Sequence, residues 1–537
     1  MWKDSTVQFL QKLTKGLIVL FLLGALSALF ESLIGVGGRS RLIDLTGIFL
    51  ERPLFLSLFA MWMVVTLRLF RTVSWIYALD RVLSWTPFLL VIPVVNSLVT
   101  VLGLEATTPT FVNVLEAPVS LLTLGWLPRL IASPGVLFGL LVATLLIGME
   151  GWRAKEPLKR LVARSLFWLL GTLFLLLLPS VIAWFAVSAI ASPLNAGPNV
   201  LARSWIALSQ EGYWWRSTLD RFPGVLEGEA AASVRFLELS LVFFVLLGGA
   251  VFAVSRSAEA SLRRIIAWFK PVRAVSFFGM VAFGLAIGYL KEPVFARGID
   301  FLPFLLFIVV LCATWGVSVW RNDLHDQEKD EELGRVDRPL IGRQLTSLEF
   351  AWIGRGLFLV VLIGGWLLGW PVLLPLLVFL GLQEVLTADG IRWKDRSFGG
   401  LLLALSNVAV MVSAVFIVLR TAAVPILEPR IWMALFAFCL FQSIPKSLRW
   451  SPNLLNWLSA RTPITPRMVI PLALALSYLV LPLLTGWVIL WWMAIPCAVV
   501  SLIPLLGSGR WDERKIVGWQ TAFLLVSCLL LSLHLGS

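Results

Sequence analysis

The sequence predicts an all-α polytopic membrane protein, and three observations predict it. Hydrophobic residues make up 59% of the 537 residues, charged residues only 14%, and mean hydropathy is +0.90. The apolar residues come in runs near the roughly 20 residues that a helix needs to cross a bilayer. Lys and Arg gather in alternate connections between those runs, as they do where cytoplasmic loops resist translocation. The length alone would suggest several soluble domains, but this composition excludes them.

Taken in order, the first half has apolar runs near 15–35, 53–70, 86–104, 133–149, 165–190 and 236–254. The first is too long for a removed signal peptide and lacks a small-residue cleavage site, so it reads as an anchor. The second half has nine, near 275–290, 303–320, 350–368, 370–386, 398–419, 430–445, 467–484, 486–506 and 517–534. With the N-terminus inside, the cytoplasmic segments are 1–15, 68–85, 150–164, 255–273, 321–347, 387–396, 446–467 and 508–515. They hold 31 of the 44 Lys and Arg; the opposite side holds 12, and Arg355 lies inside a run. This asymmetry predicts a multi-pass protein of a bacterial-type inner (plasma) membrane with a cytoplasmic N-terminus. It also directs the formal charge of +13 at anionic membrane lipids, with no nucleic-acid partner expected.

Basic and apolar residues alternate at helical spacing over residues 256–273, Arg-Ser-Ala-Glu-Ala-Ser-Leu-Arg-Arg-Ile-Ile-Ala-Trp-Phe-Lys-Pro-Val-Arg. Such a segment lies on a membrane surface. It separates an N-terminal transmembrane module, 1–255, from a second module, 274–537. The polar stretch 191–234 carries Trp205, Tyr213, Trp214 and Trp215, aromatics suited to the headgroup level or to a ligand-binding loop. Two histidines, His325 and His534, exclude a His-rich metal site. Cys312, Cys439, Cys497 and Cys528 are far apart in apolar runs and form no CxxC pair, so they read as core residues. No Ser/His/Asp triad, Walker loop or GxGxxG fingerprint is present.

One constellation carries chemistry. After the 303–320 run the chain reads Arg321-Asn322-Asp323-Leu324-His325-Asp326-Gln327-Glu328-Lys329-Asp330. Spacings of three and four put Asp323, Asp326 and Asp330 on one face of a helix. Three like charges there repel unless a cation or a basic partner is near. A hard ion such as Mg²⁺ takes oxygen ligands and completes its shell with substrate phosphates. Arg338-Pro339-Leu340-Ile341-Gly342-Arg343 follows, and its guanidinium groups are suited to clamp phosphate oxygens. The competing reading is a solvated, charge-rich loop between membrane helices, which Glu328, Glu331 and Glu332 fit well.

The run Asn-Asp-x-x-Asp-x-x-x-Asp followed by Arg-Pro-Leu-x-Gly resembles the first signature of the UbiA superfamily of intramembrane prenyltransferases. The resemblance includes its place after the second span of a nine-span unit and covers roughly 273–534; residues 1–255 have no counterpart in the common core. It implies a nine-helix bundle around a cavity open to lipid, preceded here by a module of about six transmembrane helices. It further implies Mg²⁺-dependent transfer of a prenyl group from a polyprenyl diphosphate to a lipid-soluble or aromatic acceptor. Carried over, Asn322, Asp323 and Asp326 bind metal and diphosphate, Asp330 supports the metal shell, and Arg338 contacts phosphate.

The pattern departs in two places. Where the superfamily has a second Asp motif, this chain reads Phe441-Gln442-Ser443-Ile444-Pro445-Lys446-Ser447-Leu448-Arg449-Trp450, with Ser443 and Lys446 in place of Asp. Lys446 and Arg449 stand as fixed positive charge on the diphosphate in place of a second ion, or else the site has degenerated. In 388–396 the family's Tyr is absent; the resemblance implies Lys394 as the phosphate contact, and the competing reading is an ordinary positive-inside loop. Glu384, at the end of the fourth span, is placed to face the cavity. Glu31, Asn96, Glu238, Arg355 and Asn407 are further polar residues in or near runs; Glu31 and Glu238 are expected to snorkel. The alternatives to an enzyme are a catalytically degenerate scaffold or lipid-binding subunit, with protein partners through the N-terminal module, and a transporter of an isoprenoid lipid.

Overall fold

The computed structural model describes residues 2–34, 45–71, 74–89, 95, 134–190, 239–252, 271–289, 301–334, 338, 340–342, 346–388, 393, 399–419, 429–450, 466–503, 518 and 521–530. Among them every regular element is a helix. The chain divides into two units. One is Met1–Leu262 with Arg297–Leu302 and Ala351–Ile353, the other Arg263–Ala296, Pro303–Phe350 and Gly354–Ser537.

In the first unit the helices are α1 (Trp2–Ile34), α2 (Leu45–Arg71), α3 (Trp75–Leu89), α4 (Pro134–Arg153), α5 (Leu158–Ile190) and α6 (Leu239–Phe252). α2 packs on α1, α3 and α5. Phe59 meets Trp168 edge-on at 5.3 Å, and the Trp62 indole donates to the Trp168 carbonyl at 3.0 Å. α3 differs from expectation. The sequence suggests a loop at 68–85 and a span at 86–104, whereas a helix occupies 75–89 and most of 90–104 lies outside the described residues. The reason is amphipathic spacing: Ala78, Leu79, Val82, Trp85 and Thr86 are buried, while exposed Asp80 pairs with Lys12 of α1 at 2.7 Å.

A polar knot joins α3, α4 and α5. Tyr77 donates to buried Glu150 at 2.5 Å, and Arg81 donates to Tyr77 at 3.1 Å. The hydrogen bond to Tyr77 and the charge of Glu150 hold the Arg81 pKa above its ordinary value. Fully buried Arg164 donates to Glu156 at 3.1 Å and to the Ile147 carbonyl at 3.0 Å. In the α4–α5 turn Lys155 takes a left-handed φ of 54°, the conformation that closes many helix C-termini and that Gly or Asn usually supplies.

The second unit comprises α7 (Pro271–Tyr289), α8 (Phe301–His325), the single turn α9 (Gln327–Glu332), α10 (Ser347–Leu368), α11 (Trp370–Thr387) and α12 (Gly399–Leu419). α13 (Pro429–Trp450), α14 (Pro466–Thr485), α15 (Trp491–Leu502) and α16 (Thr521–Leu530) follow. Each of the nine apolar runs read from the second half carries one of these described helices. Among the described residues, five segments are long and apolar enough to cross a membrane: Pro303–His325, Ser347–Leu368, Trp370–Thr387, Gly399–Ile417 and Met468–Thr485. The protein is a multi-pass membrane protein.

α12 packs on α7, α11 and α13, and α14 joins α13 to α15. Phe283, Phe438, Tyr478 and Phe523 form an aromatic core, with Phe438 stacked on Phe523 at 5.6 Å. The α7–α12 crossing depends on Gly284, where a Cβ would lie 2.6 Å from the Met411 carbonyl oxygen. Gly284→Ala must therefore push the helices apart, at an expected cost of about 1–3 kcal/mol. Thermal unfolding in detergent checks this; an unchanged midpoint would contradict the tight crossing.

Candidate functional site

The site is built at the C-terminal end of α8. Trp320 lies flat enough on α10 that a Cβ on Gly354 would fall 2.0 Å from the indole. The helix end is therefore seated where the charged residues begin. Past His325 the chain bends at Asp326 without losing the helical ladder: Asp326 N–H reaches the Asn322 carbonyl at 3.0 Å and Asp330 N–H the Asp326 carbonyl at 2.8 Å. This near-continuity lets carboxylates seven residues apart share a face.

On that face Asp323 is 4% exposed and Asp330 3%. Arg338 reaches both, Nη1 to Asp323 Oδ1 at 3.0 Å and Nε to Asp330 Oδ2 at 3.1 Å. Buried charge is stable only when paired, and Arg338 supplies the pair. It is mounted on its own turn, closed by Gly342 N–H donating to the Arg338 carbonyl at 2.8 Å. Shortly after it, Thr346 and Glu349 form a capping box that starts α10, with Glu349 N–H on Thr346 Oγ1 at 3.1 Å. Asn322 Nδ2 stands 3.5 Å from Asp323 Oδ1, at the limit of a hydrogen bond, and Asp326 is half-buried.

The opposite face of the same helix end carries a second constellation. Arg321 donates through Nε and Nη2 to the carboxylate of Glu384 on α11, and His325 Nε2 lies 3.1 Å from Glu384 Oε1. Arg321 also stacks over Trp320 at 5.3 Å. Sequence reasoning picked out Glu384 for a cavity but did not join it to Arg321 and His325. The usable signal was the four-residue spacing of Arg321 and His325, which straddle Asp323. Glu384→Gln removes the carboxylate that meets both, at an expected cost of about 0.5–1.5 kcal/mol of stability. Thermal unfolding in detergent checks it; a variant as stable as the unmodified protein would show that the α8 end does not depend on this carboxylate.

Of the remaining site residues, Gln442 and Ser443 are buried in the core, where Gln442 donates to Ser477 at 2.6 Å and Ser443 to its own helix at Leu440 O. Gln442 thus makes a neutral contact between helices and Ser443 one within its own helix. Lys446 and Arg449 lie on α13, but their side chains, like Lys394, are outside the described residues, as are Asn96, Glu238 and the side chain of Glu31. Arg355 is exposed on α10 and Asn407 half-buried on α12. None of the four cysteines forms a disulfide. Among the described residues, no three His, Cys, Asp or Glu side chains are gathered closely enough to hold a metal ion.

No family model matches the chain, and no curated protein matches it. Among solved structures it is similar to a UbiA homolog from Archaeoglobus fulgidus, at 16% identity over 50% of this chain and 96% of that one, with a TM-score of 0.36. The same archaeal protein bound to GPP and Mg²⁺ aligns at 14% identity over 51% of this chain and 99% of that one, TM-score 0.38. Its complex with DMAPP and Mg²⁺ aligns at 16% identity over 50% and 99%, TM-score 0.38.

Proposed function

We propose that the chain is an intramembrane prenyltransferase, taking a polyprenyl diphosphate and Mg²⁺ at the end of α8 and passing the prenyl group to a lipid-soluble or aromatic acceptor. One observation carries the reading: two nearly fully buried carboxylates, Asp323 and Asp330, are drawn to one guanidinium at the C-terminal end of α8. Asp323, Asp326 and Asp330, with Asn322 beside them, carry the oxygen donors that a hard divalent cation takes together with substrate phosphates; as they stand the three acids are not gathered about one point, so the phosphates would complete the shell. Held there, Mg²⁺ would supply positive charge to the leaving diphosphate.

The residues of the chain do the rest. Arg338 pairs with phosphate oxygens, and Lys394, Lys446 and Arg449 supply further fixed positive charge to the diphosphate. Apolar helices keep water from an allylic cation. The N-terminus and Asp motif face the cytoplasm of an inner (plasma) membrane, as the Lys and Arg asymmetry indicates. Residues 1–255 form a separate transmembrane module joined through the 256–273 linker, and that module is the surface offered to protein partners.

The test is labelled GPP or DMAPP with purified protein in nanodiscs and a panel of acceptors, with Mg²⁺ or with EDTA. Mg²⁺-dependent transfer supports the reading. Absence of both transfer and diphosphate binding favours a catalytically degenerate scaffold, the reading to which the neutral contacts of Gln442 and Ser443 belong.

A further inference from the structure

We infer that Arg338 makes the acid pair select the metal–diphosphate complex over the free cation: its guanidinium holds the place between Asp323 and Asp330 and leaves only when a phosphate takes it. The inference rests on the diphosphate-binding reading above and adds an order of events to it. Arg338 hydrogen-bonds Asp323 through Nη1 at 3.0 Å and meets Asp330 through Nε at 3.1 Å as an ion pair without hydrogen-bond alignment, and its side chain is 12% exposed. A divalent ion bound by the same carboxylates needs oxygens at about 2.0–2.1 Å, so the guanidinium and the ion compete for one space.

Guanidinium does not deprotonate in proteins, so Arg338 cannot give way by losing its charge. Displaced by a bare cation, it would stand buried and unpaired beside a like charge, which is strongly unfavourable. A diphosphate removes that penalty, because its oxygens accept the fork of guanidinium donors as the carboxylates are released. The mounting suits the exchange: Arg338 sits on its own hydrogen-bonded turn, apart from the α8–α9 helix that carries the acids, so the side chain can swing while the carboxylates stay in place. Metal and diphosphate are then coupled ligands, and the coupling is reciprocal.

The experiment is Mn²⁺ binding to the full-length protein in nanodiscs, read by electron paramagnetic resonance, with and without inorganic pyrophosphate corrected for Mn²⁺–pyrophosphate association in solution. In the unmodified protein, pyrophosphate is expected to tighten Mn²⁺ on the order of 10-fold or more. Arg338→Gln should bind Mn²⁺ alone more tightly than the unmodified protein and lose most of the pyrophosphate effect. Arg338→Lys, a single point charge that engages one acid at a time, should fall between them and serves if Arg338→Gln does not fold. Mn²⁺ affinity that is unchanged or weaker in these variants overturns the inference. If the unmodified protein binds pyrophosphate neither with nor without Mn²⁺, the diphosphate reading itself has failed; binding that is indifferent to residue 338 rejects only the exchange.

Discussion

Asp323→Asn is expected to lower prenyl transfer by on the order of 10²–10³, the scale for removing one electrostatic partner of a reacting group. The substitution keeps an oxygen within reach of Arg338 Nη1 and removes only the charge, so the protein should still fold. Asp323→Ala goes further, leaving the Arg338 guanidinium with Asp330 alone, and Asp326→Ala tests the half-buried member of the set. Glu331→Gln, an exposed carboxylate one position past Asp330, is the control and should turn over normally. Transfer of label from GPP, together with size-exclusion profiles, separates chemistry from misfolding. Unchanged turnover in the Asp323 and Asp326 variants would remove these residues from the reaction.

Glu156→Ala is expected to destabilise the first unit by about 3–5 kcal/mol, the effect of stranding a buried charge. Arg164 is fully buried, and Glu156, 12% exposed, is its carboxylate partner at 3.1 Å. The Arg164 guanidinium lies directly over Gly151, where a Cβ would fall 1.6 Å from Nη2. Glu156→Ala/Arg164→Met removes both charges and should recover much of the loss, because an apolar replacement of a buried pair is often neutral. Thermal unfolding of the four proteins in detergent measures the coupling. If the double variant is as unstable as the single one, the pair does not hold the α4–α5 hairpin as described.

The helices were legible because bilayer-length apolar runs have one good solution, an internally hydrogen-bonded helix. Where a helix is amphipathic and short, as over 75–89, that signal is weaker, and the reading placed a loop there. The acid face was legible from spacing, since 323 and 330 are two helical turns apart. The charge between those acids was not, because Arg338 lies on a separate turn and its reach to both depends on how that turn folds back. The Arg321–Glu384–His325 cluster was hidden for a similar reason: its members are 59 and 63 residues apart.

Alone, the amino-acid sequence determined the membrane-spanning helical class, the direction of the charge asymmetry and the position of the acidic motif at a helix end. All three follow from local pattern, since hydropathy, period and charge act on neighbouring residues. Tertiary structure decided which cations meet which carboxylates, and that Gln442 and Ser443 face helix contacts. Those outcomes depend on how distant helices pack, and side chains dozens of residues apart carry no mark in the sequence of which partner they will find.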